Sequence, residues 1–389
     1  MKRFSILVLI LLTCFVAAGW PQAAVLAKHT ISTFDPPGPP GPGPGPYQGT
    51  QALGITPVGA ITGFYSDSIN VYHAFLRNPD GTFVEFDAPD AGTQSVAGFV
   101  PTPLGVLGGQ GTYAVAINKA GTITGLYVDI ANTLHGFLRA PDGTITKIEV
   151  PGAGTGLGQG TIPGNISPNG TIFGTYIDAS NVTHAFLLTP KGVLTTFDVP
   201  GAGTAAGQGT FSGWASCINP AGAVTGWFID ASNVIHGYIR DSHGVITPFD
   251  APGAGTAAFQ GTYAWSINQN GLVTAAFSDP LGMLHGYLRY ADGSFRIFDA
   301  PGAIKNPGQG TMPEGISPAG VIFGNFIDPD GVNYGFRRAW NGKITRFRVD
   351  AAGTGTGQGT VPLTVNSAGQ AVGSYFDSNF VIHGFLITW

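Results

Sequence analysis

Gln159-Gly160-Thr161 opens a stretch that continues as Ile166-Ser167-Pro168-Asn169-Gly170 and Thr171-Ile172-Phe173-Gly174-Thr175-Tyr176-Ile177-Asp178. It runs on through His184-Ala185-Phe186-Leu187 to Thr195-Thr196-Phe197-Asp198-Val199-Pro200-Gly201, and at Gln208 it begins again. The Gln-Gly-Thr marker stands at Gln48, Gln110, Gln159, Gln208, Gln260, Gln309 and Gln358, at intervals of 62, 49, 49, 52, 49 and 49 residues. A period near 49 suits a four-stranded propeller blade and is long for ankyrin or leucine-rich repeats. Helical periodicity is missing; short alternating apolar segments are bounded by Gly, Asn and Asp.

Each unit divides into four strands, as at Tyr113 to Ile117, Thr122 to Tyr127, His135 to Arg139 and Thr144 to Ile148. Asn118-Lys119-Ala120-Gly121 and Asn268-Gln269-Asn270-Gly271 suit a tight turn between the first two strands. Asp80-Gly81, Asp142-Gly143, Asp292-Gly293 and Asn341-Gly342 are hairpin signals between the last two. The seventh unit stops at Trp389 after three strands, whereas Thr30 to Phe34 is a fourth-type strand with no unit of its own. A closed ring resolves both, because the N-terminal strand then completes the last blade and no edge is left open. The expected fold is therefore all-β, a seven-bladed β-propeller with four antiparallel strands per blade.

Working outward, the flanks set the compartment. Lys2 and Arg3, the apolar run Phe4 to Ala18, and Val25 and Ala27 at the −3 and −1 positions read as a signal peptide, residues 1–27, cleaved before Lys28. Residues 28–389 form one propeller, including a Pro/Gly-rich loop at 36–47 and an apolar insertion at 91–109. The expected location is secreted, extracellular or periplasmic, with no membrane span once the signal is removed. Lipidation at Cys14 is the lesser alternative, since Thr13 is an awkward residue before an acceptor Cys. If Cys14 leaves with the signal, Cys217 is alone and no intramolecular disulfide is available. Charged residues make up only 10% of the chain and the net charge is −5, which argues against nucleic acid.

An acid ends the second strand of every unit, and six residues later comes a His or Tyr. The pairs are Asp67 and His73, Asp129 and His135, Asp178 and His184, Asp230 and His236, Asp279 and His285, Asp328 and Tyr334, and Asp377 and His383. A single such pair would suggest a metal site or acid–base chemistry. Seven radiating copies, one with a phenol in place of imidazole, read instead as carboxylates bonded to a ring donor that lock a hairpin. A second set of acids closes the fourth strand: Asp35, Asp87, Glu149, Asp198, Asp250 and Asp299, with Arg348 in the sixth unit. These read as structural acceptors for loop amides. No metal or cofactor is expected; calcium at oxygen-rich loops such as Asp328-Pro329-Asp330-Gly331 is the alternative, although the EF-hand spacing is missing.

Glu314 stands on an inner strand where sister units carry Leu53, Val115, Trp265 or Leu363. It is the one weak catalytic candidate, without a nameable second carboxylate for glycoside hydrolysis. Trp214 and Trp265 could stack a sugar, and Phe99 lies in the apolar insertion, so these three and Glu314 are the ligand-binding candidates.

The recurring Gly-x-Tyr-x-Asp, His-Ala-Phe or His-Gly-Phe, and Phe-Asp-x-Pro-Gly elements resemble the bacterial extracellular repeats called the HAF family. His73-Ala74-Phe75 and His184-Ala185-Phe186 carry the name motif, and Tyr334-Gly335-Phe336 departs from it. The resemblance covers nearly the whole mature chain and implies export, with no catalytic assignment. The functional expectation is a monomeric binding or surface-interaction module whose partner is a carbohydrate or a surface protein. A polysaccharide hydrolase or lyase is the alternative.

Overall fold

A computed structural model describes residues 29–389 apart from 39, 95–99, 103–104, 108, 214–215 and 305. The expected signal peptide, Phe99 and Trp214 therefore lie outside the described residues. Every regular element among those described is a β-strand, and among the described residues no helix is long and apolar enough to cross a membrane.

Strand β1 (Thr30–Phe34) is followed by β2 (Gly49–Ile55), β3 (Ile61–Ser66), β4 (Tyr72–Arg77) and β5 (Phe83–Phe86). β2 pairs antiparallel with β3, β3 with β4, and β4 with β5. The next marker repeats this succession in Gly111–Ile117, Ile123–Val128, Leu134–Arg139 and Ile145–Ile148. The one after it does so in Gly160–Ile166, Ile172–Ile177, Thr183–Leu188 and Leu194–Phe197. Near the C-terminus Gly359–Val365, Ala371–Phe376 and Ile382–Thr388 pair in turn, and the last of these takes β1 as its outer neighbour, Thr30 opposite Thr388 through Phe34 opposite Gly384. Twenty-nine strands belong to one sheet; within the insertion, Val100–Thr102 and Gly105–Leu107 make a separate hairpin.

The Gln-Gly-Thr marker is the joint between repeats, and each of its residues has a task. Gln159 Oε1 accepts from the Gly156 amide at 2.9 Å, while its Nε2 donates to Ala179 O at 3.2 Å and Asn181 Oδ1 at 3.0 Å. It thus staples the loop entering the repeat to the turn after the second strand. Gly160 has φ 130°, and a Cβ there would overlap the Leu134 carbonyl; the bare backbone forms a parallel bridge to Leu134 of the preceding repeat. Thr161 Oγ1 accepts from the Val150 amide at 3.0 Å. The same parallel bridge joins Tyr72 to Gly111, Thr183 to Gly209, Ile235 to Gly261, Leu284 to Gly310 and Asn333 to Gly359. Ile382 to Gly49 carries the connection from the last repeat back to the first.

Burial follows this order. β3 and its counterpart Ile123–Val128 are buried on both faces, whereas the outer strands alternate or are largely exposed. Apolar residues from neighbouring repeats close the spaces between them. Ala116 and Ile148 meet Ile166, Ile172 and Phe186 in one such cluster, and Ala52, Ile55 and Phe75 meet Val372 in another, with Phe34 and Leu386 packed on it. Arg139 lies 4.6 Å from the Phe86 ring centroid, Arg289 4.7 Å from Phe249, and Arg77 5.1 Å from Phe34 of β1. Each guanidinium therefore covers the outer strand of the repeat before it, with a cation–π contribution.

Candidate functional site

The first strands of the repeats surround a cavity of about 840 Å³ whose lining includes Gln51, Leu53, Val115, Asn165, Trp265, Glu314 and Leu363. Register shifts between Ala52 and Gly54, Ala114 and Ala116, Pro313 and Gly315, and Pro362 and Thr364 leave Leu53, Val115, Glu314 and Leu363 as the extra residue of a bulge. A bulge frees a residue from the ladder and re-aims its side chain. Trp265 holds the equivalent place between two short strands, Gly261–Thr262 and Ser266–Ile267. Their place on inner strands is legible in the sequence, whereas the bulge is not.

Glu314 is partly buried, and burial pushes its carboxyl up to about 8. The indole Nε1 of Trp265 is enclosed and has no hydrogen-bond partner among the described residues, while its ring lies 5.5 Å from that of Tyr263. At one mouth the turn asparagines tie successive repeats: Asn219 Nδ2 donates to Asn268 O, Asn268 to Ser317 O, and Asn366 to Thr56 O, at 3.2, 3.1 and 2.9 Å. Lys119 lies on these turns and also lines the cavity.

The repeated acids are placed away from the cavity, in hairpins. Asp178 Oδ1 accepts from the Ser180 and Val182 amides, both at 2.8 Å, and so closes the turn after the second strand. Its Oδ2 faces His184 Nε2 at 3.6 Å. Across the repeats only His135 with Asp129 (3.1 Å) and His285 with Asp279 (3.4 Å) form the hydrogen bond expected for the pair. For His73, His236 and His383 the separations are 3.7, 3.5 and 3.8 Å. The shorter bond is to the acid that ends the outer strand. His73 Nδ1 meets Asp87 at 2.8 Å, His135 meets Glu149 at 2.6 Å, and His184 meets Asp198 at 2.9 Å. His236 meets Asp250 at 2.9 Å, His285 meets Asp299 at 3.0 Å, and His383 meets Asp35 at 2.7 Å. The outer acids, expected to serve loop amides, thus serve imidazoles, and His383 with Asp35 joins β1 to the last strand.

No hydrogen bond links Tyr334 to Asp328 among the described residues; Tyr334 instead stacks on Phe326 at 5.6 Å with Arg346 over it at 5.5 Å. The sixth repeat therefore exchanges both partners together, His for Tyr334 and the outer acid for Arg348. The hydrogen bond that His184 donates to Asp198 raises its pKa, and the one that His383 donates to Asp35 does the same there. No group of three His, Cys, Asp or Glu residues suited to a metal ion occurs among the described residues. In the calcium alternative, Asp328 Oδ1 already accepts from the Asp330 and Val332 amides, at 3.0 and 2.9 Å. Cys217 is buried and free.

Three aromatics escaped the sequence reading. The residue before the marker Gln takes a left-handed conformation in six of the seven repeats, at Gly158, Gly207, Gly308 and Gly357, but also at Tyr47 (φ 64°) and Phe259 (φ 63°). Phe380 has φ 64° at the turn position held by Asn70, Asn132, Asn181 and Asn233 in sister repeats. Tyr47 and Phe259 are 64% and 68% exposed. Tyr47 lies 5.3 Å from the Phe380 ring and, with Phe376 and Ile382, lines the cavity. A bulky side chain in that region is a backbone outlier, costing about 1–3 kcal/mol. The signal was present as the two aromatics that interrupt a column of glycines.

The sheet, in which repeats meet side by side around a central cavity and the last returns to the first, defines a β-propeller type of fold. No protein-family model matches the sequence, and no curated protein matches it. Solved structures similar to it include TolB from Acinetobacter baumannii, at 10% identity and a TM-score of 0.42 over 92% of this chain and 80% of that one. Puromycin hydrolase matches at 14% identity and a TM-score of 0.47 over 85% of this chain, which spans 50% of the hydrolase. A variant of the Aleuria aurantia lectin in complex with Fucα1-6GlcNAc matches at 12% identity and a TM-score of 0.40, over 76% of this chain and 93% of the lectin.

Proposed function

We propose that the chain is an exported, monomeric β-propeller of the HAF-repeat type that binds a ligand at its marker-bearing mouth and carries out no reaction. In this reading it has seven blades of four strands, and β1 completes the last blade; the pairing of β1 with Ile382–Thr388 supports that closure. The observation that carries the binding function is that two exposed aromatics, Tyr47 in the first repeat and Phe259 in the fifth, are held in left-handed conformations where sister repeats use glycine. Backbone strain kept at an exposed position is characteristic of binding sites. Flat aromatic faces beside the amides of the marker loops fit the apolar face and hydroxyls of a neutral sugar better than a charged ligand.

The test is a binding screen of residues 28–389 against soluble polysaccharides, with and without calcium. Tyr47→Gly and Phe259→Gly should keep the fold and weaken binding to whatever glycan is retained, each by about tenfold or more, the loss of roughly 1.4 kcal/mol. Unchanged binding in both variants would place the site elsewhere.

A polysaccharide hydrolase or lyase is favoured by one observation, the raised pKa of Glu314, since a carboxyl protonated near neutrality suits a general acid. Turnover of any polysaccharide that is lost in Glu314→Gln would establish it. Binding without turnover supports the first reading.

A further inference from the structure

On the opposite face, at the turn between the third and fourth strands, the sixth repeat departs in charge from the first, second and fifth. Arg77, Arg139 and Arg289 each end a third strand, and Asp80, Asp142 and Asp292 in the following turn lie within electrostatic reach of them. Arg338 occupies the same place, but Asn341 replaces the acid. A second departure adds to the first: Arg296 of the neighbouring outer strand stands where sister strands carry Val84, Thr146, Thr195, Thr247 and Thr345. The Nη2 atoms of Arg296 and Arg338 lie 3.1 and 3.4 Å from the position that a Cβ on Gly342 would occupy, so the two guanidiniums crowd one turn.

Arg338 is only 1% exposed and stacks 4.8 Å from the Phe298 centroid. Its Nε and Nη1 have no hydrogen-bond partner among the described residues. In sister repeats Nε is likewise unpartnered at Arg139 and Arg289, but there Nη1 reaches a turn carbonyl, at 3.5 and 3.2 Å. Among the described residues no arginine forms a close ion pair, but Arg77, Arg139 and Arg289 each have a turn acid within electrostatic reach, which Arg338 lacks. An enclosed guanidinium that has lost its acid and gained a like charge is costly unless an anion compensates it. Arginine forks suit planar or tetrahedral oxyanions. Trp340, 76% exposed in the same turn, adds an open ring face beside the charges.

We propose that the exposed Arg296, reinforced by the enclosed charge of Arg338 behind it at the Trp340–Gly342 turn, forms a site for an oxyanion group: carboxylate, sulfate or phosphate. It is separate from the mouth bearing Tyr47 and Phe259 and does not depend on the function proposed there.

The experiment uses residues 28–389 and two variants that install sister-repeat residues, Asn341→Asp and Arg296→Thr. Sodium sulfate, sodium phosphate and sodium glucuronate are each compared with sodium chloride at matched ionic strength, by calorimetric titration and thermal unfolding. Sulfate and phosphate stabilise most proteins by exclusion from the surface, so the comparison between wild type and variants is the readout. The expected result is saturable binding of at least one oxyanion by the wild type, about tenfold or more weaker in each variant. In chloride alone, Asn341→Asp should unfold at a higher temperature than the wild type. Retention of glucuronate alone would identify an acidic saccharide as the source of the group, and retention of all three would mark a general oxyanion site. Equal responses in the wild type and both variants, or no saturable binding in any, would overturn the proposal.

Discussion

His184 is held between two carboxylates, Asp198 at 2.9 Å on one ring nitrogen and Asp178 at 3.6 Å on the other. The folded chain raises its pKa above the ordinary 6.5. A raised value means that the stabilising contribution is complete below 6.5 and is lost as pH climbs through the folded-state value. His383 behaves in the same way through Asp35. Asp198 and Asp35 are 50% and 36% exposed, so each pair contributes only about 1 kcal/mol or less after screening. The unfolding temperature should therefore fall gently as pH rises above about 6.5, and Asp198→Asn should shrink the fall while leaving the fold intact. A profile unchanged by Asp198→Asn would mean that His184 draws nothing from it. The correct partner is available in the sequence, because His73, His135, His184, His236 and His285 each precede their outer acid by 14 residues and Tyr334 precedes Arg348 by the same step, His383 alone taking its acid, Asp35, from the other end of the chain. The nearer acid, six residues before the ring, is the partner that spacing suggests, yet its Oδ1 is occupied in capping its own turn.

At the scale of the repeat, strand order and turn chemistry were legible because alternation, Asn or Ser turn openers and Asp-Gly hairpins recur at one period. The bulge at Leu53, Val115, Glu314 and Leu363 was not, since one inserted residue in a short apolar strand leaves no mark in composition. Gly160 shows why the marker tolerates no substitution at its centre. Gly160→Ala forces a Cβ into the Leu134 carbonyl at a positive φ and should lower unfolding free energy by about 2 kcal/mol or more. Urea denaturation measures this; a loss under about 0.5 kcal/mol, the range of ordinary surface changes, would contradict the joint described for Gly-Thr. Phe259→Gly makes the opposite change. It relieves a left-handed phenylalanine at a site where sisters already carry glycine, and by the same measurement it should not destabilise the chain. A clear loss of stability there would show that the aromatic is held for packing and not for a ligand.

Over the whole molecule, the ends were the informative part of the sequence: an outer-type strand at Thr30 and a last repeat short of one. The structure pairs them, with Arg77 packed on Phe34 and His383 bonded to Asp35 across the same junction. What the sequence left open was where function sits, since a repeat states its scaffold many times and its exceptions once. Tyr47, Phe259, Arg296 and Asn341 are such exceptions, and each becomes meaningful only beside the sister positions that the fold aligns with it. All of these assignments rest on a ring closed by β1. Ser32 and Leu386 are cross-strand partners at that junction, close enough for a disulfide, and the native Cys217 is buried. The direct test is the thiol content and unfolding midpoint of residues 28–389 carrying Ser32→Cys and Leu386→Cys. Closure predicts one intramolecular disulfide formed in the native state, with a gain of up to about 4 kcal/mol that reduction abolishes. Two thiols that stay free under oxidising conditions, or that link only between chains, would contradict it.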